Sequence, residues 1–148
     1  LREFLDKAVQ HNQSLLKQGN TRLDIKVPSS YSVCAYQAYL ESIVFNLFSN
    51  SVKYRKPKED LVITIRAQKE GNELKIFFSD NGSGIQMDED KKHQLFNIYQ
   101  SYGNHPESKG LGLFIVKSQL ETMNGKIEIE SALNQGTTVT IILPHSCD

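Results

Sequence analysis

The chain has 148 residues, with 17 basic side chains balancing 17 acidic ones, 39% apolar residues and 23% charged ones. That composition supports one domain with its own core and disfavours disorder. The balanced charge argues against nucleic-acid binding through a broad positive field, and no apolar run approaches the ~20 residues that span a bilayer, so no direct membrane contact is expected. Cys34 and Cys147 are too few for a disulfide framework and form no CxxC pair, which fits a reducing, cytoplasmic setting. The lack of an initiator Met and the abrupt ends suggest a piece of a longer chain.

The first predicted element is a helix over 1–17, with Leu5, Val9, Leu15 and Leu16 as a rough apolar stripe and Gly19-Asn20 as its stop. Residues 21–27 alternate as a strand that Pro28 ends, and a long helix follows over 35–54. Strands over 61–68 and 73–79 form a hairpin around Glu70-Gly71-Asn72. A polar, glycine-bearing stretch then runs from 80 to 109, a helix occupies 110–123, and the last strands, 126–130 and 137–143, flank Asn134-Gln135-Gly136. Without regular βαβ alternation, this order predicts an α/β (α+β) two-layer sandwich. Its sheet is mixed and largely antiparallel, with helices packed on one face. A loop of about thirty residues in a compact domain points to a binding segment or lid.

Three clusters carry candidate chemistry. Asn46, Asn50 and Lys53 fall at i, i+4 and i+7 of the long helix, on a narrow face apart from its apolar set. Two carboxamides and an ammonium in line suit a hydrated metal and phosphate oxygens, although a solvated stripe has the same spacing. Asp80-Asn81-Gly82-Ser83-Gly84 follows a strand, where a carboxylate can accept from an exocyclic amine such as that of adenine. The same letters also make an ordinary turn. Lys109-Gly110-Leu111-Gly112-Leu113 leads into a helix whose N–H groups favour phosphate, or else marks a close helix–sheet crossing. It is neither a Walker motif nor a Rossmann fingerprint. Together the three clusters read as a nucleotide site.

The sequence resembles the ATP-binding domain shared by histidine kinases, type II topoisomerase ATPase subunits, Hsp90 and MutL (the GHKL, or Bergerat-fold, group), and most of all the sensor histidine kinases. Asn46-Leu47-Phe48-Ser49-Asn50-Ser51-Val52-Lys53-Tyr54 is close to that family's NLxxNAxKY, and Asp80 to Ile85 matches its first glycine box. Leu95-Phe96-Asn97-Ile98-Tyr99 looks like its phenylalanine box, the run from Lys109 to Lys117 like its second glycine box, and Gly136 to Thr140 like its closing motif. The boxes stand in order over nearly the whole chain.

The resemblance implies one catalytic domain over 1–148, with an ATP lid over 85–109, and ATP and Mg²⁺ as cofactors. Asp80 would take the adenine amine, with Gly82, Gly84 and Ile85 shaping that pocket. Asn50 would ligate the metal with Asn46 beside it, Lys53 would touch phosphate, and Tyr54 would lie against adenine or ribose. Lys109, Gly110, Leu111, Gly112 and Leu113 would hold the phosphates at the helix start, and Thr138 would line the adenine side. Phe96 would anchor the lid or meet the phosphoacceptor helix. Asn46, where related ATPases typically have a glutamate, cannot act as a general base, so transfer to an imidazole is favoured over hydrolysis.

Three departures stand out: no glycine precedes Lys109 where the second glycine box has one, Asn97-Ile98-Tyr99 stands where the phenylalanine box often has a Pro-Phe step, and no H-box surrounds His11, His93, His105 or His145. The phosphoacceptor histidine would therefore lie on another segment of a parent kinase. That parent would be dimeric, with a response regulator receiver downstream, and membrane-anchored or not, while the fragment alone would be monomeric. Rival readings are a Ser/Thr kinase of the anti-sigma-factor type, which usually has glutamate in place of Asn46, and a degenerate nucleotide-sensing module.

Overall fold

The computed structural model describes residues 1–91, 96 and 112–147. The element order is α1 (Arg2–His11), α2 (Gln13–Gln18), β1 (Arg22–Lys26), α3 (Gln37–Lys53), β2 (Val62–Glu70), β3 (Glu73–Asp80), α4 (Gly112–Thr122), β4 (Lys126–Ser131) and β5 (Thr137–Pro144). The strands form one sheet in the order β1-β2-β3-β5-β4. β1 pairs with β2 in parallel and the other three pairings are antiparallel, so the sheet is mixed and largely antiparallel, as its hairpins predict.

Strand alternation decides which face is covered. Ile63 and Ile65 of β2, Leu74, Ile76 and Phe78 of β3, Val139 and Ile141 of β5, and Ile129 of β4 are buried. They join Ile43, Val44, Leu47 and Phe48 of α3 and Val116 and Leu120 of α4 in one core. The intervening β2 and β3 residues Thr64, Arg66, Lys75 and Phe77 are partly or fully exposed, and the Arg66 guanidinium lies 5.9 Å from the Phe77 ring centroid. Thr140 and Ile142 of β5 are buried on that second face as well.

Three expectations change. The first helix is two, parted at Asn12, whose side-chain amide donates to the Ala8 carbonyl at 2.8 Å. An asparagine that bonds backbone in this way competes with helix continuation. The long helix starts at Gln37 rather than 35, and its N-cap residue Tyr36 supplies no side-chain cap. Cys34 and Cys147, read as two separate thiols, are joined as a disulfide that ties the segment before α3 to the residues after β5. The Cys34 N–H also donates to the Pro144 carbonyl at 2.8 Å. Among the described residues, no helix is long and apolar enough to cross a membrane.

Candidate functional site

A cleft with about 550 Å³ of empty space, counting its open mouth, lies between the C-terminal half of α3, the end of β3, the start of β5 and the start of α4. Its apolar wall comes from Leu47, Phe78, Ile85, Leu113, Ile129 and Val139, and its polar groups from Asn50, Ser51, Tyr54, Asp80 and Thr137.

Asp80 ends β3, where Thr137 is its partner on β5. Its Oδ1 accepts from the Gly82 N–H at 2.9 Å and the Thr137 N–H at 3.2 Å, and its Oδ2 accepts from the Ser51 hydroxyl at 2.8 Å. Burial raises the Asp80 pKa above the usual carboxylate range, and these three donors pull against that rise. The result is a desolvated acceptor beside an apolar slot.

The loop after β3 is held by backbone, which explains its glycines. Gly84 has φ +67°, and a Cβ there would sit 2.0 Å from the Ala132 carbonyl oxygen, while a Cβ on Gly82 would sit 2.7 Å from that of Tyr54. The Ser83 N–H donates to the Tyr54 carbonyl at 2.8 Å, and the Ile85 N–H to the Ser131 hydroxyl at 2.8 Å. Asn81 is structural: its side chain accepts from the Val62 N–H at 2.8 Å and donates to the Asp60 carbonyl at 3.1 Å. The carboxylate is thereby fixed against the end of α3.

At the other end of the cleft, α3 meets the first residue of α4. A Cβ on Gly112 would lie 3.2 Å from Asn46 Oδ1 and 3.8 Å from Asn50 Oδ1, so both carboxamide oxygens face the start of that helix. The Asn46 amide nitrogen is engaged with the Ser42 carbonyl at 2.9 Å, which directs its oxygen outward. Two hard oxygen donors next to a helix N-terminus suit a hydrated divalent cation and the phosphates it accompanies.

Of the residues singled out from sequence, Asn50, Tyr54, Asp80, Gly84, Ile85 and Leu113 lie in the cleft wall. Gly112 and Asn46 lie at its edge. Gly82 supports Asp80 through its N–H. Lys53 stands half-buried at the end of α3 and is not in the wall. The Thr138 hydroxyl pairs with that of Ser79 at 2.9 Å, and its neighbour Thr137 is the threonine in the cleft wall. The reason is the two-residue period of a strand, since Val139 faces the core and Thr137 shares its side. Lys109, Gly110, Leu111, His93 and His105 lie outside the described residues, as does most of 85–109. Phe96 packs partly buried against the core, with Lys117 Nζ 5.8 Å from its ring centroid.

Sequence reasoning passed over Ser51 and Thr137. Ser51 carried a signal, because it stands where the resembled motif has alanine.

The arrangement defines a class. The model of the histidine kinase-, DNA gyrase B-, and HSP90-like ATPases matches residues 35–146, and the chain belongs to that family. Among its curated relatives is the sensor protein RprX of Bacteroides fragilis, 37% identical over 114 residues, or 76% of this chain and 22% of that protein. Another is the histidine protein kinase SaeS of Staphylococcus aureus, 28% identical over 151 residues, or 100% of this chain and 43% of that protein. The chain thus spans less than half the length of these relatives. The mycobacterial sensor histidine kinase MprB shares the fold with a TM-score of 0.81 at 21% identity, covering 97% of this chain and 94% of that one. So does the catalytic domain of the histidine kinase ThkA, at a TM-score of 0.81 and 18% identity, covering 98% and 94%.

Proposed function

We propose that this chain is the ATP-binding catalytic domain of a sensor histidine kinase. It would pass the γ-phosphoryl group of ATP to a histidine on a separate segment of the parent protein. The observation that carries the reading is a half-buried carboxylate beside an apolar slot, in one cleft with the Asn50 carboxamide and with that of Asn46 at its edge by a helix start.

Adenine enters the apolar slot and its exocyclic amine donates to Asp80, while Tyr54 lies along the base or ribose. The triphosphate runs toward α4, where Gly112 leaves room and helix N–H groups meet negative charge. Lys109, Gly110 and Leu111, which lie outside the described residues, would bind phosphate on the strength of their sequence motif, as would Lys53 at the end of α3. Asn50, with Asn46 beside it, would hold Mg²⁺, which would neutralise charge on the phosphates. Residues 85–109 act as the lid over the nucleotide, within a single domain spanning 1–148.

Asn46 sets the reaction type. A carboxamide accepts no proton near neutral pH, so water near the γ-phosphate finds no base on this residue. An imidazole brings its own lone pair, and the domain contributes positioning and charge stabilisation. The parent is a homodimer whose phosphorylated histidine supplies a response regulator receiver.

The test is to mix the chain with its parent's helical segment and γ-labelled ATP. Acid-labile, base-stable label on that segment, lost with Asn50→Ala, supports the reading. Release of labelled phosphate with no labelled segment contradicts it.

A further inference from the structure

We infer that Ser51 is a positioning residue that makes the cleft select a purine bearing an amine at C6 over one bearing an oxo group. The inference rests on the reading that Asp80 accepts the base's exocyclic amine, and adds to it the group that keeps the acceptor in the required form.

Ser51 follows Asn50 on α3 and lines the same cleft. Its hydroxyl donates to Asp80 Oδ2 at 2.8 Å, reaching across from helix to strand. A serine within a helix more commonly returns its proton to the carbonyl one turn back; here the proton is spent on the carboxylate. Oδ1 is already engaged by the Gly82 and Thr137 N–H groups. The Ser51 bond therefore fixes the rotation of Oδ2, the less occupied oxygen, and leaves it a lone pair for one further donor. An amine at C6 supplies that donor. An oxo group does not, because it meets a carboxylate oxygen and a hydroxyl whose proton is committed elsewhere. The cost of a mispaired buried polar group makes such a site a strong discriminator.

The Ser51 hydroxyl also stabilises the charged form of the carboxylate against the desolvation that favours the neutral one. A protonated Asp80 could donate to an oxo group, so loss of Ser51 erodes selectivity as well as affinity. Apart from Asp80, Tyr54 is the one titratable residue among the described residues of the wall. From the neighbouring elements, α3 presents Ser51 and Tyr54, β5 presents Thr137, and β2 places Ile63 opposite Asp80 in the register.

The test is calorimetric titration of the chain with ATP and with inosine triphosphate from pH 5 to 8, in wild type, Ser51→Ala and Asp80→Asn. Wild type should favour ATP. Ser51→Ala should weaken ATP about tenfold and inosine triphosphate by less than about twofold, and its ATP-binding midpoint should move to higher pH. Equal loss for both nucleotides at every pH, or no loss, overturns the proposal. Asp80→Asn separates the two failures. If it removes the preference for ATP while Ser51→Ala does not, only the role of Ser51 falls; if Asp80→Asn leaves both preference and affinity intact, the adenine reading itself falls. Circular dichroism melts of the two variants confirm that each is folded at the titration temperature.

Discussion

At the scale of single residues, Asp80 links pH to stability and Gly84 links backbone shape to the site. Burial raises the pKa of Asp80 in the folded chain. Between the ordinary carboxylate pKa and that raised value, the folded state binds more protons than the unfolded state. Its contribution to stability therefore falls as pH rises through that window and is level above it. Asp80→Asn should flatten this part of a denaturant-derived stability profile. Gly84→Ala meets both a positive φ and a carbonyl oxygen 2.0 Å from the new Cβ, so it should cost at least about 2 kcal/mol, read as a lower urea midpoint. Much of the residue-level site is legible in the sequence, since Asn50, Asp80, Gly84 and Ile85 reach one cleft wall from motifs far apart in the chain. Thr137 was missed because two adjacent threonines look equivalent until the register fixes which one shares a side with Val139. Ser51 was hidden because its partner lies 29 positions away.

At the scale of elements, α3 does two jobs with two faces. Leu40, Ile43, Val44, Leu47 and Phe48 are buried against sheet and neighbouring helices, while Asn46, Asn50 and Ser51 turn to the site. Phe48 is 1% exposed and meets Phe78 edge-on, with centroids 6.5 Å apart. Phe48→Ala should cost about 3–5 kcal/mol in chemical denaturation. It should also weaken nucleotide binding, since Phe78 forms part of the cleft wall. Hydrophobic periodicity revealed α3 and every strand, with boundaries moved by a few residues. It did not reveal the break at Asn12, because that break comes from one side-chain hydrogen bond inside a sequence that otherwise patterns as a helix.

At the scale of the whole molecule, the Cys34–Cys147 bridge closes a separation of 113 residues. No spacing rule predicts such a pair, which is why two cysteines alone read as too few for a disulfide framework. Chain-entropy reasoning for a loop this long gives about 4–5 kcal/mol of stabilisation. Reduction, or Cys34→Ser, should lower the melting temperature and slow migration on a non-reducing gel. The cleft draws on α3, β3, α4, β4 and β5, so nucleotide should stabilise the whole fold and raise its melting temperature with concentration. The central claim is that this cleft binds ATP through Asp80. Calorimetric titration with ATP, with and without Mg²⁺, in wild type and Asp80→Asn tests it most directly. The account predicts micromolar binding that Mg²⁺ alters and that Asp80→Asn weakens about 10–100-fold. No heat of binding at millimolar ATP in a folded sample, or equal affinity in the variant, would contradict it.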